Sequence, residues 1–160
     1  MHIRLAESRD QDAVWRIMEA VIRSGETFAL PRAMSREEAL AYWSGGAHGV
    51  WVAEDQNEVV GTYCLRTIRP AGGSHVANCG YMVGSWATGR GAGRAMCEDS
   101  LTRARAMGFK AMQYNFVVST NERAIRLYQS LCFEIVGRLP GAFAHPTHGH
   151  VDAYVMFLRL

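Results

Sequence analysis

Apolar and polar residues alternate along this chain with two different periods, and the changes of period mark its elements. His2 to Leu5 reads as a short strand. Ser8 with Gln11 three residues on has the form of a capping box, and Val14, Ile17, Met18, Val21 and Ile22 then recur at helical spacing, which predicts a first amphipathic helix. Gly25 and Pro31 interrupt the periodicity in SGETFALPRAM, a loop. Ser35 and Glu38 form a second capping box ahead of Ala39, Leu40, Tyr42 and Trp43, predicting a short helix that ends at Gly45 and Gly46.

GVWVAED and VVGTYCLRT are β-rich runs on either side of the polar turn Asp55 to Glu58, an antiparallel hairpin. The loop RPAGGS leads into a third run, HVANCGYMV, completing a meander. A glycine-rich segment then feeds a helix from about Gly91 to Met107, with Cys97, Leu101 and Ala104 on one face and Gly108 as its stop. AMQYNFVV is a further strand. NERAIRLYQSL places Ala124, Leu127, Tyr128 and Leu131 on one helical face, and FEIVGRL and VDAYVMFLRL close the chain as strands. The expected architecture is a mixed α/β layer with an antiparallel first half and one or more crossovers later. With no internal repeat, linker or low-complexity segment, residues 1–160 read as a single domain.

Composition narrows the function classes. The 160 residues, 49% hydrophobic and 20% charged, suffice for one ordinary core. Seventeen basic against fifteen acidic residues give a formal charge of +2, without any Lys/Arg run, so neither nucleic acid nor another large charged partner is implied. No apolar run approaches the roughly 20 residues that cross a bilayer. Cys64, Cys79, Cys97 and Cys132 lie far apart with no C-x-x-C pair, and the chain opens directly into a strand without a basic-then-apolar leader. The expectation is a cytoplasmic protein with reduced thiols.

The densest chemical signal is GSWATGRGAGRAM, Gly84 to Met96. The first N–H groups of a helix have no partner within it and carry the positive end of the macrodipole, so a helix start suits a phosphate or pyrophosphate. Gly89, Gly91 and Gly93 remove Cβ atoms from alternate positions of the turn, and Arg90 and Arg94 add positive charge. A tight strand-to-helix turn alone also accounts for glycines. Two other phosphate motifs fail on chemistry. After Gly84 to Gly89 a P-loop needs Lys and Ser or Thr, where this chain has Arg90 and Gly91, and a dinucleotide fingerprint has its third glycine where Arg94 stands.

Thr88 to Gly93, TGRGAG, resembles the [QR]-x-x-G-x-[GA] motif of the GCN5-related N-acetyltransferases (GNAT), with Thr88 in place of Gln or Arg. NERAIRLYQSLCF resembles that family's second signature, N-x-x-A-x-x-L-Y-x-x-x-G-F, with Asn121, Ala124, Leu127, Tyr128 and Phe133 in register and Cys132 replacing the glycine. The resemblance covers nearly the whole chain. It implies a mixed sheet of about seven strands with four helices, splayed between strands four and five, and acetyl-CoA as cosubstrate. In the splay, backbone groups of Tyr81, Met82 and Val83 meet the pantetheine arm; Thr88, Gly89, Arg90, Gly91, Ala92, Gly93 and Arg94 take the pyrophosphate.

By the same resemblance Asn121 and Ala124 meet the cofactor, and Tyr128 is both a cofactor contact and the acid that protonates the departing thiolate. Read from residues alone, Tyr128 is equally a core tyrosine and Asn121 an N-cap. Many relatives carry a glutamate in the fourth strand where Asn78 stands, so the base stays open between Glu26, His75 and a water chain. Asn78, Glu26 and Phe28 are expected to bind the acceptor, with Phe28 alternatively filling core. His145, His148 and His150 form H-x-x-H-x-H, but no fourth ligand accompanies them and no metal is expected. ETF, GYMV and the tail EIVGRLPGAF are similar to relatives that acetylate small amines, and dimers are frequent among relatives. A small amine or amino acid is therefore expected as acceptor in preference to a protein lysine or N-terminus. The readings still open beside it are a non-catalytic acyl-CoA-binding module and a nucleotide-binding protein.

Overall fold

The alternating stretches become the strands of one seven-stranded sheet in a computed structural model that describes residues 1–160. In chain order the elements are β1 (His2–Leu5), α1 (Gln11–Ser24), α2 (Arg36–Ser44), β2 (Ala47–Asp55), β3 (Glu58–Thr67), β4 (Val76–Val83), α3 (Ala92–Ala106), β5 (Ala111–Val118), α4 (Glu122–Ser130), β6 (Glu134–His145) and β7 (Gly149–Arg159). The strands lie in the order β1-β2-β3-β4-β5-β7-β6. Every neighbouring pair is antiparallel except β4 and β5, which the crossover through α3 makes parallel.

Helices cover both faces. The apolar stripe of α1 buries Val14, Ile17, Met18 and Ile22, and with Ala39 and Trp43 of α2 it packs on Val52, Cys64 and Met82. On the opposite face, α3 lays Met96, Leu101 and Ala104 against Val60, Tyr63 and Leu65, and α4 adds Ile125 and Tyr128 at the margin of that core. Each large apolar side chain removed from water this way contributes about 1.5–3 kcal/mol. Thr62 links the layers: fully buried, it donates to Trp51 O at 2.9 Å and accepts from Trp43 Nε1 at 3.1 Å.

The second capping box forms as expected, the Ser35 hydroxyl accepting from Glu38 N–H at 3.2 Å and the Glu38 carboxylate from Ser35 N–H at 2.8 Å. The first does not. Ser8–Asp10 is a 3-10 turn, and Asp10, not Gln11, closes back on the chain by accepting from Glu7 N–H at 2.7 Å. Asp10 is captured because Arg4 of β1 donates to both its oxygens, at 2.7 and 2.8 Å, and also to Glu54 of β2. The last two strands outrun their sequence signal. Pro140 sits on the edge strand β6, where its missing N–H costs no ladder bond, and a register shift between Leu139 and Phe143 absorbs the Pro-Gly pair. His145 therefore ends β6 and His150 lies within β7, leaving only Pro146, Thr147 and His148 between the two strands.

Candidate active site

Between β4 and β5 only Val76 pairs with Ala111 and Ala77 with Met112; beyond them the strands part. Where they diverge, Asn78 Nδ2 donates to Gln113 O at 2.8 Å, a side chain standing in for the next rung of the ladder. Which groups line the gap follows from ladder parity. Ile68 N–H donates to Val76 O and Gly84 N–H to Val60 O, so alternate positions of β4, Met82 among them, turn their backbone groups toward β3. Cys79, Tyr81 and Val83 turn theirs into the gap. Tyr81 and Val83 thus turn strand-like backbone groups into the gap, whereas Met82, whose backbone turns to β3, lines the cleft while packing in the α1-side core.

At the upper end of the gap the chain turns through Gly89 and Gly91, at φ +89° and +86°, with Gly91 capping α3. A Cβ at either glycine would meet nothing within 4 Å. No protein atom fills the space beside that bare backbone. The first i to i−4 bond of α3 is Ala95 N–H to Gly91 O, and the N–H groups of Gly89, Gly91, Ala92, Gly93 and Arg94 have no backbone partner. Such a row at the positive end of a fifteen-residue helix suits a diphosphate. Thr88 lines the same cleft. The Arg94 guanidinium is held by Ser130 Oγ at 2.7 Å and Glu98 at 3.3 Å, beside the row. Arg90 departs from expectation. Its N–H donates to Ala87 O, its side chain turns to Asp55 at 3.5 Å, and it does not line the cleft, because the left-handed glycines on either side reverse the chain at that residue.

The cleft, of about 810 Å³, runs from this helix start along the gap to the loop after α1. Asn121 caps α4, its Oδ1 accepting from Ala124 N–H at 3.3 Å, which leaves its amide N–H donors free, and Ala124 lines the same wall. Tyr128 projects from α4 into an aromatic cluster, its ring centroid 4.5 Å from that of Tyr114 and 6.2 Å from that of Tyr81. Burial pushes its phenol well above the ordinary range, so it stays protonated at neutral pH and is a donor. Tyr128 packs against the core and also lines the cleft.

The end of the cleft near the loop after α1 is a chamber of mixed polar and aromatic lining. Glu26, Thr27 and Phe28 line it together with Tyr42, Trp43, Arg66 and Asn78, and Glu26 is the only acidic side chain along the whole cleft. Phe28 serves core and wall alike, meeting Trp43 edge-on at 6.2 Å. His75 stands exposed before β4 and does not reach the cleft. Sequence reasoning missed Arg66, which faces Asn78 across β3 and β4 and is clamped by Tyr42 O and Trp43 O; the alternation of its strand was the one available signal. A smaller recess of about 280 Å³ adjoins the chamber, sharing Glu26, Thr27 and Asn121 and adding Thr120, His145, Thr147 and His148, with no hydrophobic side chain. His145 Nδ1 accepts from Thr147 N–H at 3.2 Å, which places the ring proton on Nε2.

A strand gap that ends on a helix start rich in free N–H groups is the architecture the two sequence motifs implied, and a family model for acetyltransferases (GNAT) matches residues 15–133. The chain belongs to the GNAT family. A GCN5-related N-acetyltransferase from Kribbella flavida superposes with a TM-score of 0.95 at 40% identity, over 99% of this chain and 97% of that one. The N-acetyltransferase aca1 of Schizosaccharomyces pombe is 32% identical over 62% of this chain, which spans only about half, 48%, of that relative. YwnH of Bacillus subtilis, provisionally assigned as a phosphinothricin acetyltransferase, is 27% identical over 88% of both chains. As a GNAT member the protein is an acetyl-CoA-dependent acetyltransferase. The residues fit that cosubstrate: free N–H groups and open Cβ space stand where a diphosphate needs them, and unpaired strand edges where an amide-bearing arm does. No helix is long and apolar enough to cross a membrane.

Proposed function

We propose that this GNAT protein acetylates a primary or secondary amine of a small molecule, an amino acid or analogue, by direct attack within a ternary complex. The observation that carries the reading is the composition of the chamber and recess beyond Tyr128. One carboxylate, Glu26, shares the chamber with Thr27, Tyr42, Asn78 and Arg66, and the adjoining recess adds Thr120, His145, Thr147 and His148, a lining suited to a compact polar amine. The name of the Bacillus subtilis relative supports an amino-acid analogue as acceptor.

Acetyl-CoA brings the thioester acyl group. The N–H row from Gly89 to Arg94 binds its diphosphate and the Tyr81 and Val83 backbone its arm. Glu26 draws the acceptor's ammonium into the chamber and takes its proton directly or through water, since Asn78, committed to Gln113 O, has no proton capacity. Tyr128, held protonated by burial, donates to the leaving sulfur. The same proposal places the enzyme in the cytoplasm, which its four free thiols support, and makes it a homodimer, for which the exposed Ile135, Val136 and Leu139 of edge strand β6 offer a surface.

The test is release of free CoA from acetyl-CoA across a panel of amino acids, phosphinothricin, simple alkylamines and an alanine-initiated peptide. Amino acids or phosphinothricin are expected to give the highest kcat/KM. A peptide that outruns them overturns the small-molecule reading, and release from none of them favours a binding module.

A further inference from the structure

Behind Tyr128 lies a chain of hydroxyls that neither motif includes. Ser100 Oγ, fully buried in α3, donates to Cys97 O at 2.7 Å. Tyr81 OH lies 2.7 Å from Ser100 Oγ, and Tyr114 OH lies 2.8 Å from Tyr81 OH. A hydroxyl has one hydrogen, which fixes every direction in the chain. Ser100 has given its hydrogen to the carbonyl, so it accepts from Tyr81; Tyr81 has then given its own, so it accepts from Tyr114.

The chain therefore runs one way, from Tyr114 through Tyr81 and Ser100 to a peptide carbonyl, which takes no proton at neutral pH. It cannot reload Tyr128. What it does is hold Tyr114, whose ring stacks on Phe133 at 4.3 Å and 19° and lies 4.5 Å from that of Tyr128. That support matters because α4, the helix that carries Tyr128, has no fully buried residue of its own. The wall that Tyr128 leans on, Tyr114 and Phe133, is thus more deeply buried than the helix that carries it.

We infer that Tyr114, Tyr81 and Ser100 form a positioning device that fixes the orientation of the Tyr128 phenol in the cleft. The inference rests on the reading of Tyr128 as proton donor. Two variants break the chain without removing a ring: Tyr114→Phe at its outer end and Ser100→Ala at its base, the latter at a residue that shares no ring contact with Tyr128. With tyrosine labelled at its ring carbons, Tyr128 is identified as the resonance lost in Tyr128→Phe. In both variants that resonance is expected to move and broaden, in free protein as well as with acetyl-CoA. With the panel's fastest acceptor, both variants are expected to lower kcat by about 10-fold, a misplacement effect, while KM for acetyl-CoA stays within about twofold of wild type. In a Tyr128→Phe background neither is expected to lower kcat further, because residues acting as a unit do not add.

A Tyr128 resonance identical to wild type in both variants overturns the inference, whether or not an acceptor is found. So do kcat losses that multiply with that of Tyr128→Phe. If wild-type protein releases no CoA but both variants move the resonance, the positioning stands and the transfer reading falls.

Discussion

Gly91→Ala separates the two costs of a side chain at the start of α3. The native residue sits at φ +86° and ψ 0°, a left-handed conformation that costs an L-residue about 1–2 kcal/mol. No contact adds to that, since a Cβ there meets nothing within 4 Å. Gly108 supplies a matched control: φ is +88°, open space again surrounds its Cβ, and it lies past the other end of the same helix, away from the cleft. Gly91→Ala and Gly108→Ala are thus expected to lose similar stability, which for a chain of this size lowers Tm by about 2–8 °C. They are expected to differ with ligand. Acetyl-CoA at 100 times its Kd stabilises a native state by about 2.7 kcal/mol. Gly108→Ala is expected to keep that increment, whereas in Gly91→Ala the new methyl occupies diphosphate space and removes most of it. Thermal unfolding of three proteins with and without acetyl-CoA reads both quantities. If Gly91→Ala gains as much from acetyl-CoA as Gly108→Ala does, the N–H row does not hold the diphosphate.

Tyr128→Phe is expected to lower kcat by about 10²-fold, within the range of a general acid, and to leave acetyl-CoA binding measured by calorimetry nearly intact. Thr62→Val leaves the buried Trp43 N–H without an acceptor, a loss of about 1–3 kcal/mol in urea unfolding. The Arg4 guanidinium, hydrogen-bonded to Asp10 and Glu54, holds both carboxyls below their ordinary range. Depressed values stabilise the fold above the unfolded carboxyl range, near pH 4, and that contribution is lost as pH falls through the lower folded values. Arg4→Met is therefore expected to raise the pH at which acid unfolding begins, followed by circular dichroism at constant salt.

The strand-glycine-helix unit and the second signature were legible because local chemistry alone dictates them: Gly89 and Gly91 need left-handed backbone, and Asn121 caps its helix through its own side chain. The splay was legible only through resemblance, since nothing in HVANCGYMV says where its partner strand departs. Arg90 misled because a charge beside a phosphate loop looks like a ligand, while its direction depends on the φ of its neighbours and on distant Asp55. Which of Tyr81, Met82 and Val83 turn backbone groups into the gap was hidden for a similar reason: ladder parity is fixed by the register against β3, and register is a tertiary property. The hydroxyl chain was invisible because Ser100, Tyr81 and Tyr114 come from three elements whose convergence no spacing encodes.

In the ladder between β4 and β5 only two residue pairs are in register, and one asparagine amide extends them by a rung. The backbone of the sheet is two leaves sewn at one corner, with side chains alone, the Tyr81–Tyr114 hydroxyl pair among them, bridging the rest of the seam. A molecule lying in the seam supplies the lateral bonding that the leaves do not give each other, so filling the site and stiffening the protein become one event.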